Sequence, residues 1–276
     1  MATKNTDIES ATFSTEVSYL SEFISALAAY REEGKILIRE DAIFSKVTDP
    51  ADAAMCISKI KGTALNSIKL DTNESDEIVI GANFERMLDM LKGVPGTNEV
   101  EVTYPIKKEG TGTLYVRLDI IEDDLTFDIP GINIDTVPDI PQNEPISYST
   151  RIVVDGSELK KALGHCDKIY SSSGGAIIFQ TSGNEFIVKS SDKVDGDVEK
   201  KFRQSGPASE SSLGEKKVFL GRGYLMDIAP TLGKSEDVEI HIKHEHPVRL
   251  DANLDEDGDA KIIYMIAPRI DSMQDD

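Results

Sequence analysis

Apolar and polar residues alternate along much of the chain, which is the pattern of β-strands that bury one face. The spacing changes to that of a helix with one apolar face around residues 20–30 and 157–167. The clearest strand segments, rich in β-branched and aromatic side chains, are residues 36–38, 42–47, 53–60, 100–104 and 177–180. Together these segments predict an α+β fold with antiparallel sheets and two helices in each half of the chain.

The two halves of the chain repeat one another. Four segments are paired, and one of them, the tetrapeptide Val-Arg-Leu-Asp, occurs twice letter for letter. The pairs are 13–15 with 148–150, the predicted helices that follow these at 20–30 and 157–167, 80–84 with 220–224, and 116–119 with 248–251. The copies follow the same order and lie 132 to 140 residues apart, so the chain is predicted to contain two versions of one domain.

A proline-rich segment lies between the two copies. Residues 129–145 contain four prolines and one glycine, so an extended connector is expected here rather than a helix or a strand. The segment keeps several aliphatic residues, which indicates that it lies along the protein surface. The sequence therefore predicts an N-terminal domain at 1–128, an interdomain connector at 129–146 and a C-terminal domain at 147–276.

The last predicted strand, residues 262–266, is followed directly by Ala267 and Pro268. Proline has no backbone N–H to donate, so the chain is expected to leave the sheet at this point. Ala267, Pro268 and Ile270 would then form a small apolar shelf beside the strand end. Such a shelf is either ordinary material of a terminal strand or the binding surface of a partner, and the pattern alone leaves both open.

Length and composition indicate a packed protein of one large or two medium domains. The 276 residues are 39% hydrophobic, and no apolar run approaches the length of a membrane span. The N-terminus is polar and lacks the apolar middle of a signal peptide, and the chain has two cysteines without a metal-binding spacing. We therefore expect an intracellular protein with reduced thiols and no membrane partner.

The charge balance narrows the possible partners. A formal net charge of -20 argues against a protein that grips nucleic acid by bulk positive charge, because phosphate binding relies on cationic contacts. The same charge fits an acidic surface that stays soluble in a high-salt cytoplasm, where self-repulsion is screened. A halophilic origin is therefore a hypothesis from composition alone.

Three segments invite a metal or cofactor interpretation. His241, His244 and His246 are close in sequence, but on a strand only two of them share a face, and zinc usually needs three or four ligands. Residues 253–258 begin like a calcium loop but lack the glutamate at its twelfth position, and residues 221–223 lack the third glycine of a dinucleotide motif. The sequence therefore predicts no metal, no cofactor and no enzymatic activity.

Several features taken together resemble the sliding clamp family, specifically the archaeal and eukaryotic proliferating cell nuclear antigen (PCNA) type. They are the duplicated domain, the Val-Thr-Asp-Pro-Ala turn at 47–51, the Pro-Asp-Ile-Pro segment at 138–141 and the tail at 264–270. The resemblance covers about residues 12–271, and the acidic composition points to a haloarchaeal or haloarchaeal-virus version. It implies a DNA polymerase processivity factor, a head-to-tail homotrimeric ring around duplex DNA with helices facing the hole.

The resemblance also implies partners that dock beneath the interdomain connector. These are DNA polymerase, clamp loader, nuclease and ligase, each bearing a peptide with one aliphatic and two aromatic anchors on a short helical turn. The matching pocket positions come from the turn, the connector, the last hairpin and the tail: Ala53, Met55, Ile140, Pro141, His246, Pro247, Ala267, Pro268 and Ile270.

The helix positions that match DNA-facing ones in the family carry six cations, Arg86, Lys92, Lys160, Lys161, Lys168 and Arg222. The first helix departs from the family pattern, because it contains Glu22 and no Lys or Arg, and only Arg31 follows it. A closed ring stays on DNA by topology and needs only weak phosphate contacts, so this departure does not exclude a clamp.

Ring closure in the family uses one edge strand from each half of the chain, paired across subunits. The matching segments are 125–129 and 195–202, with Leu125, Phe127, Ile129, Val198 and Phe202 as the interface residues. Unpaired edges of this kind would be an aggregation hazard in a monomer, so ring closure also satisfies the strands.

Two other functions stay open from the sequence. The chain could be a clamp paralogue that acts as one subunit of a hetero-oligomeric ring or as a monomeric competitor for clamp partners, and self-association of the edge segments separates these from a homotrimer. From a different class, it could be an unrelated duplicated β-rich enzyme or ligand-binding protein, which a concave pocket with converging titratable groups would favour.

Overall fold

A computed structural model describes residues 9–72, 75–142, 145–170, 175–192, 196–203 and 214–269. The chain forms two compact units, which exchange short segments. Unit 1 holds Met1–Val47, Ile57–Pro141 and Asp257–Ala260, and unit 2 holds Thr48–Cys56, Gln142–Glu256 and Lys261–Asp276. In the described ranges, none of the helices is long and apolar enough to cross a membrane.

Unit 1 is built from antiparallel sheets and a pair of helices. One sheet has the strand order β5-β1-β7-β8-β9, and in a second row β4, β3, β2 and β6 are neighbours in that order. The elements are β1 (Ser10–Glu16), α1 (Val17–Ala28), β2 (Glu33–Arg39), β3 (Ala42–Thr48), β4 (Ala54–Lys61), β5 (Ser67–Asp71), β6 (Glu77–Asn83), α2 (Phe84–Leu91), β7 (Glu99–Lys107), β8 (Leu114–Ile120) and β9 (Leu125–Pro130).

Unit 2 uses the same kinds of elements. One row of strands has the order β10-β15-β16-β17, and a separate sheet has the order β13-β12-β11-β14. The elements are β10 (Thr150–Asp155), α3 (Gly156–Asp167), β11 (Ala176–Ser182), β12 (Glu185–Asp192), β13 (Gly196–Arg203), β14 (Lys216–Gly221), α4 (Arg222–Leu232), β15 (Asp237–Ile242), β16 (Val248–Asn253) and β17 (Ala260–Ile266).

The two units therefore share one topology. In each, a strand and a helix open the fold, a row of strands leads to a second helix, and three more strands follow that helix. The two Val-Arg-Leu-Asp copies lie in β8 and β16, the third strands of the rows β1-β7-β8-β9 and β10-β15-β16-β17. In the part of the chain that the structure describes, β5 of unit 1 has no partner element in unit 2. The predicted α+β class with antiparallel sheets is confirmed, and the sequence repeat is a repeat of topology.

The helices pack in pairs, α1 with α2 and α3 with α4. Their apolar faces are fully buried, as Phe23 and Phe84 show in unit 1 and Leu159 and Leu225 in unit 2. Burying a side chain of this size stabilises a fold by about 1.5–3 kcal/mol. The helix pair is thus the cover of the core in each unit, and the opposite helix faces carry the exposed charges.

Capping side chains fix where α2 and α3 begin. The Asn83 side chain accepts a hydrogen bond from the Arg86 backbone N–H at 2.8 Å. The Asp155 side chain accepts a hydrogen bond from the Glu158 backbone N–H, also at 2.8 Å. These caps satisfy backbone donors that have no partner inside the helix, so each helix starts at a defined residue.

Gly156, the first residue of α3, lies against the end of α4. Its backbone N–H donates to the Glu236 carbonyl at 3.1 Å. A Cβ atom here would collide with the carbonyl oxygens of Leu232 and Ser235. Gly164, in the same helix, has nothing within 4 Å of the place a Cβ would take.

We expect Gly156→Ala and Gly164→Ala to change stability in opposite directions. Gly156→Ala forces the start of α3 away from the end of α4 and should lower the free energy of unfolding by about 1–3 kcal/mol. The second improves helix propensity in open space and should raise it by up to about 1 kcal/mol. Urea denaturation of both variants at one protein concentration measures this, and equal effects of the two would contradict the close approach of α3 to α4.

Candidate functional site

A buried carboxylate organises the turn between β3 and β4. Asp49 is only 5% exposed. Its Oδ1 accepts the backbone N–H groups of Ala53 and Ala54, each at 2.7 Å. Its Oδ2 accepts the Ala51 N–H at 3.1 Å and the Tyr224 hydroxyl, from α4, at 2.8 Å. One side chain therefore fixes three backbone groups of the turn and anchors the turn to a helix of unit 2.

The backbone of this turn explains why the sequence reads Asp-Pro-Ala-Asp. The Asp49 backbone N–H donates to the Ala54 carbonyl at 2.9 Å, which closes the turn. Asp52 has φ of 55°, a left-handed conformation that aspartate and asparagine tolerate better than most residues. Local side-chain bonding by Asp49 thus replaces the strand ladder until β4 starts.

The hydrogen bonds also set the protonation of Asp49. Burial alone would raise the pKa of this carboxyl, but the bonds from Ala54, Tyr224, Ala51 and Ala53 together lower it below its usual value. Asp49 is therefore ionised near neutral pH, and the turn holds a charged acceptor that four donors satisfy.

The tail after β17 lies against this turn. β17 ends at Ile266, and the Ala267 backbone N–H donates to the Ala53 carbonyl at 2.8 Å. Pro268 forms an isolated antiparallel bridge with Leu220, and the Arg269 N–H donates to the Phe219 carbonyl at 2.9 Å. The chain leaves the β17 ladder after Ile266, at Ala267 and Pro268 as predicted, and then runs beside the end of β14.

The predicted pocket residues of unit 2 differ in how exposed they are. Ala53, Ala267 and Pro268 are partly exposed on the shelf formed by the turn and the tail. Met55 is buried, at 7% exposure. Ile270 lies outside the described residues.

The last hairpin of unit 2 holds the remaining two of its pocket residues. His246 and Pro247 are partly exposed in the segment between β15 and β16. The Tyr148 hydroxyl donates to the Pro247 carbonyl at 3.0 Å, which ties this segment to the start of the C-terminal half. His244 and His246 lie in a turn after β15 rather than on the strand, so the expectation that they share a strand face is wrong; the strand ends at Ile242.

Ile140 and Pro141 lie at the end of the connector, in unit 1, and both are partly exposed. The connector belongs to unit 1 as far as Pro141. The expectation of a segment without helix or strand is wrong in two places, because its first two residues lie in β9 and Ile134–Thr136 form a short 3₁₀ helix. The Ile132 backbone N–H donates to the Gly81 carbonyl at 2.9 Å, and Val137 is buried. Near the end, the Lys35 ammonium pairs with Asp139 at 2.6 Å. The prediction that the connector lies along the surface agrees with these contacts.

The predicted DNA-facing cations differ in what they contact. Five are exposed on or beside α2 and α3, whereas Arg222 is 19% exposed in its side chain. Arg222 pairs with Asp167 at 2.5 Å, and its guanidinium lies 5.9 Å from the centre of the Tyr170 ring. Arg222 is therefore part of the packing within unit 2. The exposed five are Arg86, Lys92, Lys160, Lys161 and Lys168.

The predicted interface segments are the end strands of their sheets. β9 ends the five-stranded sheet of unit 1, and β13 ends the four-stranded sheet of unit 2. On β9, Leu125 is 39% exposed and Phe127 partly exposed, but Ile129 is buried at 3% and faces the core of its own unit. On β13, Val198 and Phe202 are partly exposed, and the Phe202 ring lies 5.8 Å from that of Phe186.

A group with metal-ligand chemistry lies on β15 and β16. Ligand atoms of Glu239, His241 and Asp251 are within 4.8 Å of one another. Both carboxylates are already paired with cations at 2.6 to 2.7 Å, which would oppose a metal ion. The paired cations are Arg151, Arg249 and Lys261. This arrangement is a charge network on a sheet face.

Comparison with known proteins shows that this chain is similar in sequence to archaeal sliding clamps and similar in fold to PCNA structures. No protein-family profile matches the chain. In solved structures it resembles A. fulgidus PCNA bound to the C-terminal region of FEN-1 (TM-score 0.77, 24% identity, 95% of this chain and 99% of that one). It also resembles Thermococcus kodakaraensis PCNA (TM-score 0.74, 20% identity, 94% and 100%).

The relatives found by sequence similarity carry a more specific name, DNA polymerase sliding clamp. The chain is 29% identical to the DNA polymerase sliding clamp of Archaeoglobus fulgidus, over 90% of this chain and 93% of the relative. It is 26% identical to the DNA polymerase sliding clamp of Natronomonas pharaonis, over 92% of this chain and 96% of the relative. The resemblance to archaeal sliding clamps predicted from the sequence is confirmed.

Some of the site was missed by sequence reasoning. The aspartate–proline pair at residues 49 and 50 is a turn signal that identifies Asp49 as a local acceptor. Tyr224 carries no such signal, because its partner is far away in sequence and only the fold brings the two together.

We expect Asp49→Asn to lower the stability of unit 2 near neutral pH and to reduce the further loss of stability that unit 2 undergoes as the pH falls. The amide can accept at one atom only, which should cost about 1–3 kcal/mol near neutral pH. Because folding lowers the pKa of Asp49, its contribution is present above the unfolded value of about 3.9 and is lost as pH falls through the folded value. Melting temperatures between about pH 3 and pH 7 measure both effects.

Asp52→Asn is the matched control, since it changes an exposed carboxyl of the same turn and asparagine tolerates the same φ. It should leave the melting curve unchanged. If Asp49→Asn behaves like Asp52→Asn, the turn does not depend on the buried carboxylate.

Proposed function

We propose that this chain is a DNA sliding clamp, a processivity factor that tethers replication and repair enzymes to duplex DNA without catalysing a reaction itself. The observation that carries this function is the duplicated two-unit fold, which matches archaeal sliding clamps over nine tenths of the chain. Its place of action is then the compartment that holds the genome, and its partners are DNA polymerase, clamp loader, nuclease and ligase.

Three copies are proposed to close a ring head to tail. Each chain offers β9 at one sheet end and β13 at another, and end strands present backbone groups that a second chain can pair with. Leu125 and Phe127 on β9, and Val198 and Phe202 on β13, supply apolar side chains for the joint. A heterologous joint of this kind makes a closed ring when its rotation is three-fold.

Topology then explains how so acidic a chain stays on DNA. A ring needs no tight grip on phosphates, and the net charge of -20 weakens any such grip. The exposed lysines of α3 are proposed to supply the weak contacts, together with Arg86 and Lys92. The first helix offers no lysine or arginine, so the contacts are unevenly distributed along the chain.

The shelf of unit 2 is proposed to bind partner peptides. Ala267 and Pro268 lie beside Ala53, and the hydrogen-bonded turn below them holds the backbone in place. A small rigid apolar surface suits the aliphatic or aromatic anchor of a short peptide. Ile140 and Pro141, which the resemblance assigns to partner binding, stay predictions, as do Met55, His246, Pro247 and Ile270.

We expect Leu125→Asp to break the ring. A charge buried in an apolar joint is costly, so light scattering should show a mass near that of one 30.2 kDa chain instead of three. Ile134→Asp is the matched control, because Ile134 is an aliphatic side chain of the connector with 38% exposure against 39% for Leu125. A trimeric Leu125→Asp would contradict the proposed joint, and a wild-type monomer would favour the competitor or hetero-ring function.

We expect Pro268→Asp to reduce the affinity for a polymerase-tail peptide at least about tenfold, since it puts a charge on the apolar shelf. Titration of a labelled peptide carrying one aliphatic and two aromatic anchors measures this. Pro95→Asp is the matched control, because Pro95 is an exposed proline outside the connector and the shelf, and it should bind normally. The trimer mass and melting temperature of Pro268→Asp show whether the ring is intact, and unchanged peptide affinity in an intact ring would refute the shelf.

A further inference from the structure

Glu158, in the first turn of α3, holds two lysines at once. Its Oε1 lies 2.8 Å from the Lys161 ammonium, one turn along the same helix. Its Oε2 lies 3.0 Å from the Lys200 ammonium, which reaches it from strand β13. One carboxylate therefore joins the cationic face of α3 to the end strand of a sheet in unit 2.

The direction of the Lys200 side chain follows from the alternation of β13. Phe202, two residues on, points to the same side and packs its ring against the buried Phe186. Lys200 extends over that ring, with its ammonium 5.5 Å from the ring centre. Lys200 thus lies on the helix side of the sheet, on the same surface as Lys161, although 39 residues separate them.

All three charged groups remain accessible to solvent. The side chains of Lys161, Lys200 and Glu158 are 65%, 45% and 40% exposed. Hydrogen bonds from Lys161 and then Lys200 lower the pKa of Glu158, so the carboxylate is charged at neutral pH. Exposed ion pairs of this type are weak, about 0–1 kcal/mol, so an incoming anion can displace the carboxylate.

We propose that Lys161 and Lys200 form a paired phosphate contact for duplex DNA and that Glu158 is its built-in competitor. This inference rests on the proposed sliding-clamp function. A backbone phosphate presents two non-bridging oxygens, as a carboxylate does, and can take the place of Glu158 between the two ammonium groups. No bond is made or broken; one ion pair exchanges for another.

The competitor keeps the DNA contact weak. A phosphate that binds here must displace an internal anion as well as counterions, so it stabilises the complex less than a phosphate bound to an unpaired lysine. Weak contacts suit a ring that must slide, because a tight phosphate grip would hold it in place. Glu158 therefore lowers the strength of the phosphate contact that the ring must break each time it slides along DNA.

The decisive variant is Glu158→Gln, which keeps the shape of the side chain and removes its charge. We expect the ring to bind a labelled linear duplex about threefold to fivefold more tightly at low salt, measured by fluorescence anisotropy. The slope of log affinity against log salt should steepen, by up to about 0.9 for each additional phosphate that the lysines neutralise.

Glu85→Gln is the matched control. Glu85 is an exposed glutamate in the first turn of α2, so the change removes the same charge from a helix first turn. It should alter DNA affinity by less than about twofold, since any increase comes from bulk charge alone. Equal increases in the two variants would overturn the competitor role.

A double-mutant test isolates the two lysines. Lys161→Gln and Lys200→Gln together should lower DNA affinity, and adding Glu158→Gln to that pair should give no increase. An increase that persists without the lysines would overturn the inference. A wild-type ring that binds DNA and does not respond to Glu158→Gln overturns this inference alone, whereas a chain that forms no ring and binds no duplex overturns the proposed function with it.

Discussion

The proposed assembly depends on one constraint, the backbone groups that strands at the ends of sheets leave to be paired. A strand at the end of a sheet exposes a row of N–H and C=O groups, and proteins must cover or pair them. In each unit one sheet ends in a strand of mixed polar and apolar residues, β9 in unit 1 and β13 in unit 2. If β9 of one chain pairs with β13 of the next, one joint satisfies both edges, and repetition of that joint generates the assembly.

The internal duplication gives each chain both end strands that this joint needs. Because the two units share one topology, each chain contains the same arrangement of a helix pair and sheets twice. In the proposed clamp, the helix pairs carry the DNA contacts and the sheets carry the joints and the shelf. The chain is strongly acidic as a whole, and the cations that we propose to contact DNA lie on or beside α2, α3 and β13.

Much of the fold could be predicted from the sequence, because alternation and helical spacing are local signals. The repeat was visible since Val-Arg-Leu-Asp occupies equivalent strands, β8 and β16. Helix boundaries were less accurate: α1 begins at Val17, three residues before the predicted start, because Glu16 gives no side-chain cap to mark it. Among the residues that the structure describes, β5 has no counterpart in unit 2, and no segment of the sequence repeat pointed to it.

The sites were less predictable, because they depend on contacts between distant residues. Arg222 has the charge of a DNA contact, yet Asp167 and Tyr170 hold it within unit 2. Ile129 lies in an end strand, yet its side chain faces the core. Lys200 lay in the predicted joint segment 195–202 without a role of its own, and only the fold shows that it shares a carboxylate with Lys161.

A ring held on DNA by topology is tested most directly by trapping it on a duplex with blocked ends. The chain is mixed with a linear biotinylated duplex, the DNA ends are blocked with streptavidin, and the salt concentration is then raised to about 1 M. A ring threaded on the DNA should stay bound until a restriction enzyme cuts the duplex, because screening removes phosphate contacts but not a topological link. Release by salt alone, before cutting, would contradict the account.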